Sequence, residues 1–253
     1  MENNDTKSII GLIADSTKEI RHTVDKRLAT GINEFFNFVK LCTPIKLMYL
    51  KVEEARYIFE QDQRYLKEKY EQISEENRIE PNPRIVLNAA NEYSYCLKEE
   101  EIRKMFLNLI ASDINKDKKD SVHPSFINIV KSLSTEDAKF LKKLNSAHMN
   151  AFPVDFVQSK VPISNSSITL KKVLILHTKE TLILNDFILE NLERLNLIKI
   201  FDNQSLTGCT LYGKGFEYVK SNDLNRFKGT LNYKKGCLEI TNLGKRFINV
   251  CLN

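Results

Sequence analysis

Leu192-Glu193-Arg194-Leu195-Asn196-Leu197-Ile198 and, further on, Leu238-Glu239-Ile240-Thr241-Asn242-Leu243-Gly244-Lys245-Arg246-Phe247-Ile248 decide how the C-terminal third of this 253-residue chain is read. The first segment ends a helical run, 182–195, in an apolar ladder and passes into a strand-like piece, Ile198–Phe201. The second leaves a strand-like Cys237–Thr241 for a helix over Asn242–Cys251, and Cys209–Tyr212 supplies another short strand-like piece. Helices and strands therefore alternate here.

Helix, ladder, strand, and a last strand that leads into a final helix form the pattern of a winged-helix module, placed at residues 165–253. Upstream, 145–167 reads as irregular, with Pro153, Pro162 and Ser164-Asn165-Ser166-Ser167. Residues 81–150 read as helical. Helices are expected over Arg84–Tyr95, over Lys98–Asp113 with Ile102, Phe106, Leu109 and Ile110 on its apolar face, and over Ser125–Leu133. Another starts at Ser134, which can cap it with Asp137 three residues on, and runs through Phe140, Leu141 and Leu144. Pro81-Asn82-Pro83 breaks the chain, because residues before proline avoid the helical region, and the break suits a hinge between the N-terminal arm and a compact domain. Before it, residues 1–80 form a helical arm, apolar at Ile9, Ile13, Ile20, Val24 and Leu28 and charged from Glu53 to Glu80. The expected fold is mainly α: an N-terminal helical arm, a central helical domain and a C-terminal winged-helix-like α+β domain.

Scarce Gly and Pro, absent Trp and a mild net charge of +5 suit a helix-rich globular protein. From Ile168 onward thirteen Lys/Arg face eight Asp/Glu, so the C-terminal third carries the positive excess. The five cysteines show no CxxC spacing, which argues against a zinc or redox motif, and their odd number without a leader-like N-terminus points to reduced thiols in a cytosol. None of His22, His123, His148 and His177 lies three or four residues from another, so paired helical metal ligands are not expected. GxSxG, HExxH and GxxxxGK[ST] are all missing, and Gly213-Lys214-Gly215 is short enough to be a turn. Neither a catalytic residue nor a cofactor or metal is expected.

The stretch Arg27–Leu50 stands apart. Arg27, Thr30, Asn33, Glu34, Asn37 and Lys40 form one polar strip at 100° per residue. Leu28, Ile32, Phe35, Phe36, Phe38 and Val39 fill the rest, and Leu47 continues it past Pro44. Such a face fits a core or dimer-interface helix, or a helix that lies on or enters a membrane. About twenty-three helical residues span roughly 34 Å, enough for a hydrocarbon core near 30 Å. Several copies could turn their polar strips inward around water.

Lys234, Lys235, Lys245 and Arg246 form a candidate basic patch. The presumed recognition helix, 185–195, carries Asp186, Glu190 and Glu193 against Arg194 alone, which argues against reading a DNA groove.

The most specific motifs are Val122-His123-Pro124-Ser125-Phe126 and Leu133-Ser134-Thr135-Glu136-Asp137-Ala138. With Pro81-Asn82-Pro83 and Phe106-Leu107-Asn108-Leu109-Ile110-Ala111-Ser112, they make residues 81–144 resemble the Abi-alpha family of bacterial abortive-infection proteins. Leu192–Ile198 and Leu243–Phe247 fit the same pattern, and Phe106 stands where the family pattern would lead one to expect Trp. The resemblance implies defence against phage by arresting or killing the infected cell, and gives His123, Pro124, Ser125, Phe126 and Asp137 a structural part. The expected function is a non-enzymatic effector, cytoplasmic at rest, that senses a phage-made protein, with a multimeric structural protein the candidate. It would then oligomerise and permeabilise the bacterial inner membrane through its N-terminal helices. The rival readings are a winged-helix nucleic-acid-binding regulator and a toxin enzyme with an unrecognised site.

Overall fold

The computed structural model describes residues 52–160, 167–177, 180–223 and 230–253. The amphipathic segment 27–50, with Leu28, Ile32, Phe35, Phe36, Val39 and Leu47, lies outside the described residues. Those described form a mixed α+β protein whose contacts divide it into two compact units. One takes in the described residues up to Thr135 together with Asn249–Asn253, and the other is Glu136–Ile248.

The first unit is helical: α1 (Val52–Glu71), α2 (Pro83–Tyr93), α3 (Glu100–Asp113) and α4 (Ser125–Lys131). The hinge proline becomes the first residue of α2, where its missing N–H is harmless, and the Asn82 side chain accepts from Arg84 N at 3.0 Å as the N-cap. Helix α3 departs from the amphipathic expectation. Every residue from Met105 to Asp113 is buried, the polar Asn108, Ser112 and Asp113 included. A helix apolar on most of its circumference sits in the middle of a core; here Phe106, Phe126, Tyr93 and Leu107 fill that core.

In the second unit, α5 (Thr135–Ser146) precedes a five-stranded antiparallel sheet of order β3-β2-β1-β5-β4. The strands are β1 (Ala151–Lys160), β2 (Ser167–His177), β3 (Glu180–Ile183), β4 (Ile198–Phe201) and β5 (Leu231–Ile240). Helix α6 (Asp186–Arg194) lies between β3 and β4, α7 (Lys214–Asp223) between β4 and β5, and α8 (Asn242–Cys251) follows β5. Val157, Val173 and Val219 seat α7 on β1 and β2, with Phe216 against them.

Three expectations need correcting. The supposedly irregular 145–167 contains β1, whose residues Phe152 to Val157 are buried without a break. A central strand covered on both faces shows no alternation, and Pro153 is tolerated because pairing with β2 begins only at Val154. The helix placed at 182–195 starts at Asp186; Leu182 and Ile183 belong to β3, and Asn185 caps the helix through Phe187 N at 3.0 Å. Residues 209–212 are turns rather than a strand: the Tyr212 hydroxyl accepts from Leu206 N at 2.9 Å and donates to Gly236 O at 2.8 Å, which folds that loop onto β5.

Candidate functional site

The densest set of buried polar groups is built on α3. The last carbonyls of any helix have no partner within it. Those of α8 are met from α3 and the loop after it: Ser112 Oγ donates to Val250 O at 3.0 Å, Asn108 Nδ2 to Cys251 O at 3.0 Å and Lys118 Nζ to Asn249 O at 3.3 Å. Asn108 and Ser112, four apart, share one helical face and reach successive carbonyls. Asn108 also accepts from the Tyr65 hydroxyl at 2.8 Å. At the end of α3, Asp113 accepts the N–H of Asn82 at 2.6 Å and so pins the proline hinge. Burial raises the Asp113 carboxyl above the ordinary aspartate value, and the Asn82 N–H opposes that rise.

Near the start of α3 lies a second cluster. Asp62 of α1 accepts from Arg103 Nε at 2.7 Å and from the Tyr93 hydroxyl at 2.6 Å, and Arg103 donates also to Leu97 O. All three side chains are buried. Burial, and then the Asp62 charge, push the Tyr93 phenol well above its usual value. A cavity of about 450 Å³ opens beside this cluster, bounded by Tyr57, Tyr65, Arg103 and Lys104 among others.

His123 accepts the N–H of Ser125 on Nδ1 at 3.1 Å and meets the Ser125 hydroxyl at 2.7 Å. It therefore caps α4 just ahead of Pro124, and Phe126, buried, stands edge-on to its ring at 6.5 Å. Asp137 is buried and accepts from Asn191 Nδ2 at 2.9 Å, while Arg194 holds the other end of Asn191 at 2.7 Å. After α6 the chain turns through Asn196, at φ 55°: Asn196 N donates to Glu193 O and Leu197 N to Leu192 O, closing the helix in a Schellman motif. Thr241 then donates to Asn196 O at 2.6 Å, and Gly244 lies so close that a Cβ on it would sit 2.1 Å from Leu197 O.

A family model described as abortive infection alpha matches residues 54–251. The chain belongs to the abortive infection alpha family. Its coarse function follows, an abortive-infection role in antiviral defence. No curated protein and no solved structure matches the chain.

In this family member, the segments that carry the family pattern meet one another. The proline hinge meets the end of α3, the middle of α3 meets the end of α8, Asp137 reaches the residue ahead of Leu192, and Leu197 lies under Gly244. The pattern marks joints, and its polar groups hold backbone or a neighbouring side chain.

Asp155 and the Asp62–Arg103–Tyr93 cluster escaped the sequence reading. Asp155, central in β1 and fully buried, accepts on Oδ2 from Gly213 N at 2.9 Å, Gly215 N at 3.0 Å and Phe216 N at 3.2 Å. The N-terminus of α7, a place where an anion settles, is thus filled by the chain's own carboxylate. The only cue in the sequence was an acid in an otherwise apolar run. Burial raises this carboxyl, against the pull of the three N–H groups and of Lys235.

The four basic residues do not converge on β5. Lys234 and Lys235, being neighbours on a strand, point to opposite faces. Lys234 pairs with Asp202 at 3.3 Å, and Lys235 lies 5.4 Å from the centre of the Tyr212 ring. Lys245 and Arg246 are exposed on α8. Among the described residues no group of three or more His, Cys, Asp or Glu could hold a metal ion.

Proposed function

We propose that this abortive infection alpha protein is a non-enzymatic effector that kills through its N-terminal arm. At rest it is cytoplasmic, with the rest of the chain restraining the arm. A phage-made protein, with a multimeric structural protein the best candidate, relieves the restraint. The arms then oligomerise and permeabilise the inner membrane. The observation that carries this reading is the division of labour along the chain. The polar side chains of the family segments are engaged in holding the fold together, while Leu28, Ile32, Phe35, Phe36, Val39 and Leu47, by their spacing in the sequence, would share a broad apolar face ahead of them. No helix of the described residues is long and apolar enough to cross a membrane, so the membrane step is assigned to the arm.

We read residues 165–253 as a winged-helix-like module that serves recognition of protein rather than of nucleic acid. The run of α6, its apolar ladder and β4, and then β5 leading into α8, supports that reading. The acidic Asp186, Glu190 and Glu193 of α6 and the internal engagements of Lys234 and Lys235 weigh against a DNA surface.

The test is dye entry into infected cells followed in time. Entry before lysis, lost in Phe36→Asp and in Val39→Asp, is expected. Protection with membranes that stay sealed would overturn the membrane step and move weight to an enzyme or a nucleic-acid-binding regulator.

A further inference from the structure

We infer that α1 is a detachable lever, held on the first unit by a polar latch at Asp62, and that opening this latch is the step that frees the arm; the second half of this inference rests on the effector reading above. Helix α1 is twenty residues long, yet its only fully buried apolar side chains among those described are Ala55 and Leu66. At the position between them that faces the unit stands an aspartate, 3% exposed. Its grip is made by hydrogen bonds, from Arg103 at 2.7 Å and Tyr93 at 2.6 Å. Further along, Tyr65 donates to Asn108 at 2.8 Å and Lys69 to Asn253 O at 3.0 Å. Apolar contact is thin: Phe59 stacks on Tyr93 at 6.3 Å, and an open groove of about 450 Å³ runs between α1 and α3 beside the latch.

Two features make this contact separable from the fold beneath it. Arg103 and Asn108 each hold a backbone carbonyl as well as their partner on α1, Leu97 O and Cys251 O. When α1 leaves, those two ties inside the unit persist. In addition, a buried ion pair contributes little over an apolar pair of similar size, whereas removing one partner alone leaves a buried charge unmatched and is strongly unfavourable. The contact is therefore close to all-or-none. In the sequence α1 directly follows the amphipathic segment 27–50 of the arm, so its release is a release of that segment's attachment point.

Hydrogen exchange on the full chain tests the latch without reference to killing. In Arg103→Met, peptides covering α1 are expected to exchange at least about tenfold faster than in the wild type, with peptides covering Phe106 to Asp113 unchanged. In the double variant Asp62→Leu/Arg103→Met, α1 is expected to exchange as slowly as in the wild type or more slowly. Tyr93→Phe, which removes one donor only, serves where Arg103→Met does not fold, and is expected to speed α1 at least about threefold. Acceleration of α1 and α3 together, or an α1 indifferent to all three changes, would overturn the lever. In cells Arg103→Met is expected to kill without phage and the double variant to lose protection at wild-type abundance. The expected exchange pattern with killing unchanged in both would leave the latch standing and sink the arm as effector.

Discussion

At the scale of single residues, Gly244 and Asp155 show why side-chain identity matters far from any chemistry. A methyl group on Gly244 would meet the Leu197 carbonyl at 2.1 Å, a backbone atom that cannot rotate away. Gly244→Ala is expected to lower unfolding free energy by about 1–3 kcal/mol in urea titrations. Gly208→Ala, with φ 71° and nothing within 4 Å, carries only the left-handed strain of about 1–2 kcal/mol and is the matching control. Asp155→Ala strands three amide donors and is expected to cost about 3 kcal/mol or more. The pH dependence has a definite sign. Because the folded carboxyl sits above its ordinary value, the native state holds the proton more tightly than the unfolded chain. Its contribution is therefore largest below the unfolded value and declines as pH rises through the folded one. Thermal melts at pH values rising from the ordinary aspartate range should show stability falling more in the wild type than in Asp155→Asn. Asp113, shifted the same way, leaves a residual slope of the same sign in both.

At the scale of elements, the helices of the first unit were legible because their boundary signals are local. Pro83 and Asn82 mark the start of α2, and Asn242 and Cys251 bound α8 as expected. Strands β1 and β2 were not legible. Their burial comes from neighbours on both sides, so neither the alternation nor the absence of Pro and Asp that marks a strand is present in 151–160. The joint between α3 and α8 was half legible. The Asn and Ser of Phe106–Ser112 stood out as a motif, but nothing local shows that their acceptors lie some 140 residues on. Asn108→Leu, close in volume, leaves the Cys251 carbonyl and the Tyr65 hydroxyl unmet. The expected loss is about 2–3 kcal/mol in denaturant titration, with faster amide exchange over the end of α8 than over its start.

At the scale of the whole molecule, family membership and the joints agree on a scaffold whose pattern preserves how segments meet. That agreement also limits what sequence could say of function: the motifs identify the fold's seams, and the arm carries no motif at all. The positive excess after Ile168 is the one global feature that favours a nucleic-acid partner. Its expected signature is weak, nonspecific retention of DNA at low salt, gone by about 200 mM, and little altered by Lys234→Ala or Lys235→Ala, whose side chains are engaged within the unit. Gel-shift titration over a salt series checks it; tight binding that survives physiological salt would restore the regulator reading.

The carbonyls that Asn108 and Ser112 grasp are synthesised 143 and 138 residues after them. At roughly 5–20 residues per second, the ribosome leaves an interval of about 7–30 seconds in which α3 has been made and its clasp has not. The arm, α1 included, is older still. If the arm is the effector proposed above, each new molecule passes through a period in which the arm exists and the clasp on α3 does not, and a burst of synthesis multiplies such molecules. How fast a cell makes this protein is, on that account, as much a condition of its safety as how tightly the finished protein is closed.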